Sequence, residues 1–394
     1  MQPPPPNLSA APFSKAAMQP PHPNLSTPSR KEAKADWSCL PPELLEQISE
    51  RLNSEIYIFR FRSVCSWWRD CTPRYPNNHS SWELPEFPDS DEVFYVRRLS
   101  KQNIYLIKPP QHQQTLCPWL IRIGRDLNGN LHLWHPFDGC QSSLLFAPFY
   151  LARSLIDFNH LPVLDLEHKF RIHEADSPDR YVHDGKVIVA TGKGGGKPLD
   201  LMTYDNFQEL KILRYGVGSW KSIPTIERSL WGDICIFKGK LCVADKNGRT
   251  VMIESDYSVH LLANPVYGAE FKFLVVESEC VSLLLVDCHG LTSADEDGIR
   301  FEKNKRWIKL RSLENRVLFM GDDCSFCVSA SNLCIGNGNC IIYSRDYNFH
   351  SIEQVESRMR IFHLDQDRVS PLSDYPDYFK LFWPPPEWIV EHHS

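Results

Sequence analysis

The chain has 394 residues, of which 42% are hydrophobic and 23% charged, and its formal net charge is −6 at pH 7. This length allows two or three domains with a substantial core. The negative charge argues against a broad phosphate-binding face, so no nucleic-acid partner is expected. No run approaches the roughly 18 apolar residues of a membrane helix, so no membrane partner is expected.

Thirteen cysteines are scattered without a disulfide framework. An odd, irregular set of this kind is typical of reduced thiols, which predicts a location in the cytoplasm, the nucleus or both. The N-terminus lacks the apolar core of a signal peptide. We therefore expect no glycosylation at the Asn-x-Ser sequences of Asn7, Asn24 and Asn78.

Residues 1–34 are rich in proline, serine and alanine, and the sequence from Gln2 to Ser9 returns in similar form from Gln19 to Ser26. A polar, proline-rich composition cannot bury enough apolar surface to fold. We predict a disordered tail over residues 1–34.

A short, strongly apolar segment follows, over residues 35–75. Pro41 and Pro42 come directly after Leu40, and proline is tolerated in the first turn of a helix, so the pair predicts a helix start. The apolar stripe of this first helix comprises Leu44, Leu45, Ile48 and Leu52. Its spacing is that of an amphipathic helix.

Two further short helices are predicted before Pro73. The second contains Ile56 and Phe59 and is expected to extend to Val64, and the third contains Trp67 and Trp68. A segment of about 40 residues rarely closes a core by itself. These helices therefore need a partner surface.

The Leu-Pro-Pro start and the later run from Arg60 to Cys65 closely resemble the F-box. The resemblance implies docking onto a Skp-type adaptor, which links the protein to a cullin scaffold and to a ubiquitin-conjugating enzyme. The residues that it assigns to adaptor contact, or to the support beneath it, are Leu40, Pro41, Pro42, Leu44, Leu45, Ile48, Leu52, Val64 and Trp68. Tyr57 departs from the acidic residue that many F-boxes carry there.

After the helices, residues 76–110 are predicted to be a linker or the first irregular strands. From Val93 onward, short apolar and aromatic runs alternate with Gly, Asn and Asp turns, which indicates an all-β domain. Near-continuous runs such as Ile234 to Phe237 suit strands that are covered on both faces. A β-propeller is the favoured architecture, and a large β-sandwich or pair of sheets is the alternative.

Weak internal repeats support a repeated sheet. Gly185 to Ala190 returns as Gly239 to Ala244, and Gly129 to Leu133 is a looser copy. Each copy follows or forms a tight turn, so each is expected to belong to a strand pair. The segments that begin at Trp220 and Trp307 are predicted to be equivalent within their units. The spacing exceeds the usual blade period, so the blade number stays open.

Several segments of the β domain occur in the order found in the kelch-like plant F-box family. They are Trp119 to Ile121, His135 to Gly139, Asp233 to Asp245, Arg316 to Gly321, Ser325 to Ala330, Asn339 to Tyr343, Phe362 to Leu364 and Pro385 to Ile389. The chain resembles this family almost to its end. The resemblance implies a kelch-like β-propeller over residues 111–392, and so an α+β multidomain protein with an N-terminal three-helix F-box and an all-β domain.

Two residue clusters have compositions found in phosphate-binding or metal-binding sites. The glycine-rich run from Gly192 to Lys197 lacks the spacing and the following Ser or Thr of a phosphate-binding loop, and Pro198 follows it, so a hairpin loop is predicted. Cys324, Cys327, Cys334 and Cys340 are badly spaced for zinc and are expected to be small buried apolar groups. We predict no metal, no cofactor and no catalytic residue.

The sequence thus predicts a non-catalytic substrate receptor of a Skp-cullin-F-box ubiquitin ligase. The F-box would bind the adaptor, and the β domain would recruit an unknown protein target. The alternative is an F-box scaffold or sequestering protein that acts without ubiquitin transfer.

Overall fold

A computed structural model of the chain describes most of the residues after position 35. The described residues are 36–52, 54–72, 82–85, 97–110, 116–125, 131–137, 161–174, 177–181, 186–191, 198–204, 209–214, 218–223, 232–266, 272–277, 282–287, 299–321, 324–344, 357–382 and 386–390. The predicted disordered tail, residues 1–34, lies outside them, as do the glycine-rich run from Gly192 to Lys197 and the Asp184-Gly185 turn.

The chain divides into two compact units, Met1–Cys39 and Leu40–Ser394. The described part of the first unit is a 3-10 turn, Trp37–Cys39. Both the backbone N–H and the hydroxyl of Ser38 donate hydrogen bonds to the Asp36 carboxylate, at 3.0 and 2.6 Å. This aspartate therefore organises the turn locally.

The second unit begins with three short helices, α1 (Pro42–Arg51), α2 (Glu55–Arg62) and α3 (Ser66–Cys71). Helix α1 starts at a proline, as predicted, and its first and last turns contain Glu43 and Arg51, which suit the helix dipole. None of the described helices is long and apolar enough to cross a membrane.

The prediction that the second helix extends to Val64 is wrong. Helix α2 ends at Arg62, and the backbone N–H of Ser63 donates to the carbonyl oxygens of Phe59 and Arg60. The Ser63 hydroxyl also donates to Phe59 O at 2.8 Å. These bonds satisfy two of the four C-terminal carbonyls of α2, and Val64 lies in the connection to α3.

The remaining strands form five sheets, which are the blades of a five-bladed β-propeller. Blade 1 contains β1 (Trp82–Leu84), β2 (Arg97–Ile107), β3 (Trp119–Arg125), β4 (Leu131–Trp134), β5 (Val163–Glu174) and β6 (Ser177–Tyr181). Blade 2 contains β7 (Ile188–Thr191), β8 (Pro198–Tyr204), β9 (Leu210–Arg214) and β10 (Trp220–Ser222). Blade 3 contains β11 (Asp233–Phe237), β12 (Lys240–Ala244), β13 (Thr250–Ile253) and β14 (Val259–Ala263). Blade 4 contains β15 (Lys272–Glu277), β16 (Ser282–Asp287), β17 (Ile299–Lys303) and β18 (Arg306–Lys309). Blade 5 contains β19 (Arg316–Met320), β20 (Ser325–Ser329), β21 (Cys340–Ser344), β22 (Met359–His363) and β23 (Arg368–Pro371).

Blades 2, 3 and 4 are simple antiparallel meanders whose strands pair in chain order. Blade 1 is built around the long central strand β2, which pairs with β1, β3 and β5. Blade 5 contains the one parallel pairing among the described strands, between β19 and β21. Two short helices follow it, α4 (Pro376–Phe379) and α5 (Glu387–Val390).

Five buried apolar clusters close the blades into a ring. Each cluster combines side chains of two neighbouring blades, and the fifth joins blade 5 to blade 1. Members from the two sides of each cluster, in ring order, are Ile172 and Leu201, Ile212 and Val243, Phe237 and Leu285, Val286 and Leu318, and Phe319 and Leu106. Strands are thus covered on both faces, as expected for Ile234 to Phe237.

The predicted repeat is only partly correct. The segments at Trp220 and Trp307 are confirmed as equivalent, since each lies on the last strand of a four-stranded blade. Each indole also donates a hydrogen bond to a carbonyl of the preceding blade, at Pro85 and Gly248. By contrast, β7 is an edge strand of blade 2 whereas β12 is the second strand of blade 3. The Gly-Lys signal therefore does not specify the position of a strand in its blade.

Candidate functional site

The first element of the candidate site is helix α1, whose two neighbouring leucines point in different directions. Leu44 is 44% exposed, whereas Leu45 is fully buried, and Ser49, one turn later, is buried as well. Pro41 and Pro42 are exposed at the start of the helix. Because residues four apart share a helix face, Leu45 and Ser49 form the inner side, and Leu44 belongs to the solvent side.

The connection between α2 and α3 brings a second set of apolar groups to the surface. Val64 is 56% exposed and Trp67 is 43% exposed. The Sγ of Cys65 accepts a hydrogen bond from the backbone N–H of Trp68 at 3.5 Å and so caps α3. The indole of Trp67 donates to Leu40 O at 2.8 Å. This bond joins helix α3 to the residue that precedes the two prolines.

Beneath these groups lies the shared core of α2 and α3. Ile58 and Phe61 are buried, and the ring of Trp68 packs on Phe61 with centroids 4.5 Å apart. The guanidinium of Arg62 donates to the carbonyl oxygen of Thr72, whose hydroxyl donates to Trp68 O at 2.6 Å. The two helices are therefore fixed to each other by ring packing and by a short chain of hydrogen bonds.

The predicted site residues differ in how far they reach the surface. Pro41, Pro42, Leu44 and Val64 are exposed, Leu40, Ile48, Leu52 and Trp68 are half-buried, and Leu45 is buried. Trp67 is absent from the predicted set although its exposure matches that of Leu44. A six-residue helix is too short for periodicity to tell which of two adjacent tryptophans faces outward. Tyr57 is half-buried within α2 and does not interrupt the helix.

The propeller contains a buried ion pair that spans three blades. The ammonium group of Lys186, just before β7, lies 2.9 and 3.2 Å from the two carboxylate oxygens of Asp233. Asp233 begins β11 and also accepts a hydrogen bond from Leu274 N in β15 at 2.7 Å. Burial disfavours the charge of Lys186, yet the charge of Asp233 and its hydrogen bond raise the pKa of Lys186 overall. The Asp233 carboxylate thus bonds to groups of blades 2 and 4 and links them to its own blade.

A second polar cluster lies on β2 and β5 of blade 1. The Asp165 carboxylate accepts a weak hydrogen bond from Asn103 Nδ2 at 3.5 Å and lies 3.8 Å from His168 Nδ1. Burial raises the pKa of Asp165 to about 6 and lowers the pKa of His168 to about 4. At neutral pH the carboxylate is therefore charged and the imidazole neutral, a state suited to hydrogen bonding.

The four cysteines considered for zinc do not share one environment. Cys324 and Cys340 are buried, Cys327 is half-buried and Cys334 is exposed. Burial raises the pKa of the Cys340 thiol to about 12, so this thiol stays protonated and behaves as a small apolar group. Among the described residues, no three His, Cys, Asp or Glu side chains are grouped so that they could hold a metal ion.

Comparisons with known proteins agree with this architecture. A family model described as the KIB1-4 beta-propeller matches residues 87–364. F-box protein SKIP23 of Arabidopsis thaliana is 30% identical over an alignment that covers 91% of this chain and 96% of that protein. A second Arabidopsis F-box protein is 29% identical with the same coverage. An Arabidopsis F-box/kelch-repeat protein is 24% identical, covering 86% of this chain and 95% of its own.

The similarity to solved structures is low. A chain of a nidogen/laminin complex reaches a TM-score of 0.26 at 10% identity, covering 68% of this chain and 91% of its own. The names of the plant relatives, together with the propeller, point to an adaptor-type protein. The resemblance drawn from the residues is thereby confirmed, and the chain belongs to the plant F-box proteins that carry a KIB1-4 β-propeller.

Proposed function

We propose that helices α1 to α3 form an F-box that binds a Skp-type adaptor, and that the propeller recruits a target protein for ubiquitylation. The main support is the concentration of exposed hydrophobic side chains on this helical segment. Of the five exposed large hydrophobic side chains described after Leu40, three lie on this short segment, namely Leu44, Val64 and Trp67. Exposed apolar groups concentrated on a small element mark a protein–protein interface.

The burial of the predicted site residues divides the adaptor surface into two layers. Pro41, Pro42, Leu44 and Val64 form the contact layer together with Trp67, because these side chains are exposed before binding. Leu45 and the half-buried residues Leu40, Ile48, Leu52 and Trp68 form the layer beneath, which holds the contact layer in position. Truncating an exposed side chain would then affect binding directly, whereas truncating Leu45 would act through folding.

In this proposal the chain is an adaptor subunit rather than the catalyst. The adaptor would connect it to a cullin and to a ubiquitin-conjugating enzyme, and the protein would act in the cytoplasm, the nucleus or both. The proposed domains are the tail over residues 1–34, the F-box over 35–75 and the propeller domain up to residue 392. The propeller begins before the predicted boundary at residue 111, because β1 and β2 of blade 1 lie within the predicted linker, residues 76–110. The family relationship and the surface of α1 to α3 support this assignment.

Co-purification with a plant Skp-type adaptor and its cullin tests the proposal. The wild-type chain is compared with Leu44→Asp, which places a charge in the contact layer. Ile308→Asp is the matched control, because Ile308 lies on the propeller and is 40% exposed, close to the 44% of Leu44. We expect both partners to be retained by the wild type and by Ile308→Asp, and to be lost with Leu44→Asp. Equal retention by all three chains would contradict the proposal.

A second readout separates a substrate receptor from a scaffold. Both kinds of protein would bind the adaptor, but only a receptor would lower the abundance of proteins that its propeller binds. We therefore first identify the proteins that both the wild type and Leu44→Asp capture. The abundance of these proteins is then compared between cells that express the wild type and cells that express Leu44→Asp. A receptor predicts that at least one of them accumulates with Leu44→Asp. Unchanged levels of all of them would favour the scaffold.

A further inference from the structure

Helix α2 also contacts the propeller, along the face that carries Ile56 and Arg60. The hydroxyl of Ser54, just before the helix, lies 2.9 Å from the hydroxyl of Tyr105 in β2. The guanidinium of Arg60 donates to the carbonyl oxygen of Leu161. Ile56 and Tyr105 are buried, with 1% and 0% exposed. This side of the helix is therefore anchored on blade 1, whereas the exposed Val64 follows its other end.

The C-terminal segment, residues 372–382 and 386–390, reaches the same blade from the far end of the chain. The indole of Trp119 in β3 donates to Phe382 O at 2.6 Å, and the backbone N–H of Leu120 donates to Leu381 O at 2.7 Å. The indole of Trp388 in α5 donates to Cys117 O at 3.1 Å. The segment thus crosses from blade 5 to the start of β3.

Both contacts lead into one buried apolar cluster. It combines helix α2, strands of blade 1 and helix α5, and its members are Ile56, Tyr105, Ile107, Trp119, Ile121, Ile123, Leu133, Leu161, Trp388 and Ile389. Residues more than 330 positions apart in the chain therefore bury their side chains together. A tryptophan contributes a large apolar area to such a cluster, so removing Trp388 leaves a cavity in the cluster that also contains Ile56 of α2.

We propose that the C-terminal segment fixes the F-box helices on blade 1 and so sets the orientation of the adaptor-binding surface relative to the propeller. We call this attachment of α2 to blade 1 and α5 the mount. Ile56 and Trp388 are positioning residues in this mount and do not touch the adaptor. That the mount orients an adaptor-binding surface rests on the function proposed above. The attachment of α2 to the propeller does not depend on that function. A rigid mount matters because the target protein must be held where the transferred ubiquitin can reach it.

Hydrogen exchange of the full-length chain, followed by mass spectrometry, tests the mount. Trp388→Ala is compared with Trp307→Ala, which also removes a buried tryptophan with an indole-to-carbonyl hydrogen bond, but between blades 3 and 4. We expect Trp388→Ala to speed exchange of the amides of α2 by tenfold or more, because the helix opens locally more often. Trp307→Ala should leave exchange in α2 within a factor of two of the wild type.

Ile56→Ala provides an independent variant in case Trp388→Ala does not fold, and it should speed exchange in α2 in the same way. Unchanged exchange in α2 for a folded Trp388→Ala or Ile56→Ala would overturn the proposal. Adaptor binding is measured on the same samples and should be retained within about threefold, because the contact layer is intact. An adaptor that fails to bind even the wild type would refute the proposed function. The exchange rates would still show whether the C-terminal segment stabilises α2.

Discussion

At the scale of single residues, Asp233 joins three blades through one carboxylate. Replacing it with asparagine removes the main counter-charge of the buried Lys186, so we expect Asp233→Asn to lower the free energy of unfolding by about 3 kcal/mol. Glu254→Gln is the control, because it breaks an ion pair with the largely exposed Lys240 and should cost less than about 1 kcal/mol. Urea denaturation measures both. Equal losses would contradict the role assigned to Asp233.

The raised pKa of Asp165 predicts that the free energy of unfolding depends on pH. Its pKa in the folded protein, about 6, lies above the usual 3.8, so ionisation is disfavoured by folding and costs stability as pH rises from about 4 to beyond 6. Asp165→Asn removes this cost. We expect the variant to exceed the wild type by about 2 kcal/mol at pH 7.5 and to lose that advantage near pH 4.

The difference between variant and wild type is the quantity to measure here. His168, whose pKa burial lowers to about 4, gives the wild type a stability slope of the opposite sign between pH 4 and 6.5. Urea unfolding of both chains at several pH values between 4 and 7.5 gives this difference, which includes the effect of the substitution on the pKa of His168, 3.8 Å away. A difference that does not vary with pH would show that Asp165 does not carry the expected cost.

At the scale of elements, the hairpin between β11 and β12 turns through Lys238 and Gly239. Both have positive φ angles, 51° and 75°, as in the tight turns that fit the twist of a hairpin. A Cβ at Gly239 would meet no atom within 4 Å, so Gly239→Ala strains the backbone only and should cost about 1 kcal/mol.

Gly336→Ala is the control for that variant. Its added Cβ also meets nothing within 4 Å, but its φ angle is not positive. We therefore expect Gly336→Ala to change the free energy of unfolding by less than about 0.5 kcal/mol. Thermal unfolding of both variants provides the comparison, and an equal effect at the two positions would show that the turn is not strained.

The same elements show what the sequence could predict. The two prolines define the start of α1, because proline favours the first turn of a helix for local reasons. Apolar spacing does not predict the end of α2, because the apolar Val64 lies outside the helix, after the C-cap residue Ser63, whose N–H and hydroxyl bond to carbonyls of the last two turns. Which of Leu44 and Leu45 is exposed depends on what the helix packs against, and α1 packs against α3, which apolar spacing within α1 cannot predict.

At the scale of the whole molecule, apolar strands that can be covered on both faces predict a propeller. The sequence does not predict the number of blades, because the Gly-Lys signal occurs before strands in different positions of their blades. The closure of the ring also cannot be predicted from short segments of the sequence. It depends on packing between residues such as Leu106 and Phe319, more than 200 positions apart in the chain.

The whole-molecule claim is that a folded propeller carries an adaptor-binding F-box on blade 1. Calorimetric titration of a purified Skp-type adaptor into the full-length chain tests this claim most directly. We predict a 1:1 complex with a Kd of about 1 μM or tighter, weakened roughly 30-fold or more by Leu44→Asp and unchanged by Ile308→Asp. A folded wild-type chain that releases no heat of binding, or equal binding by both variants, would contradict the claim.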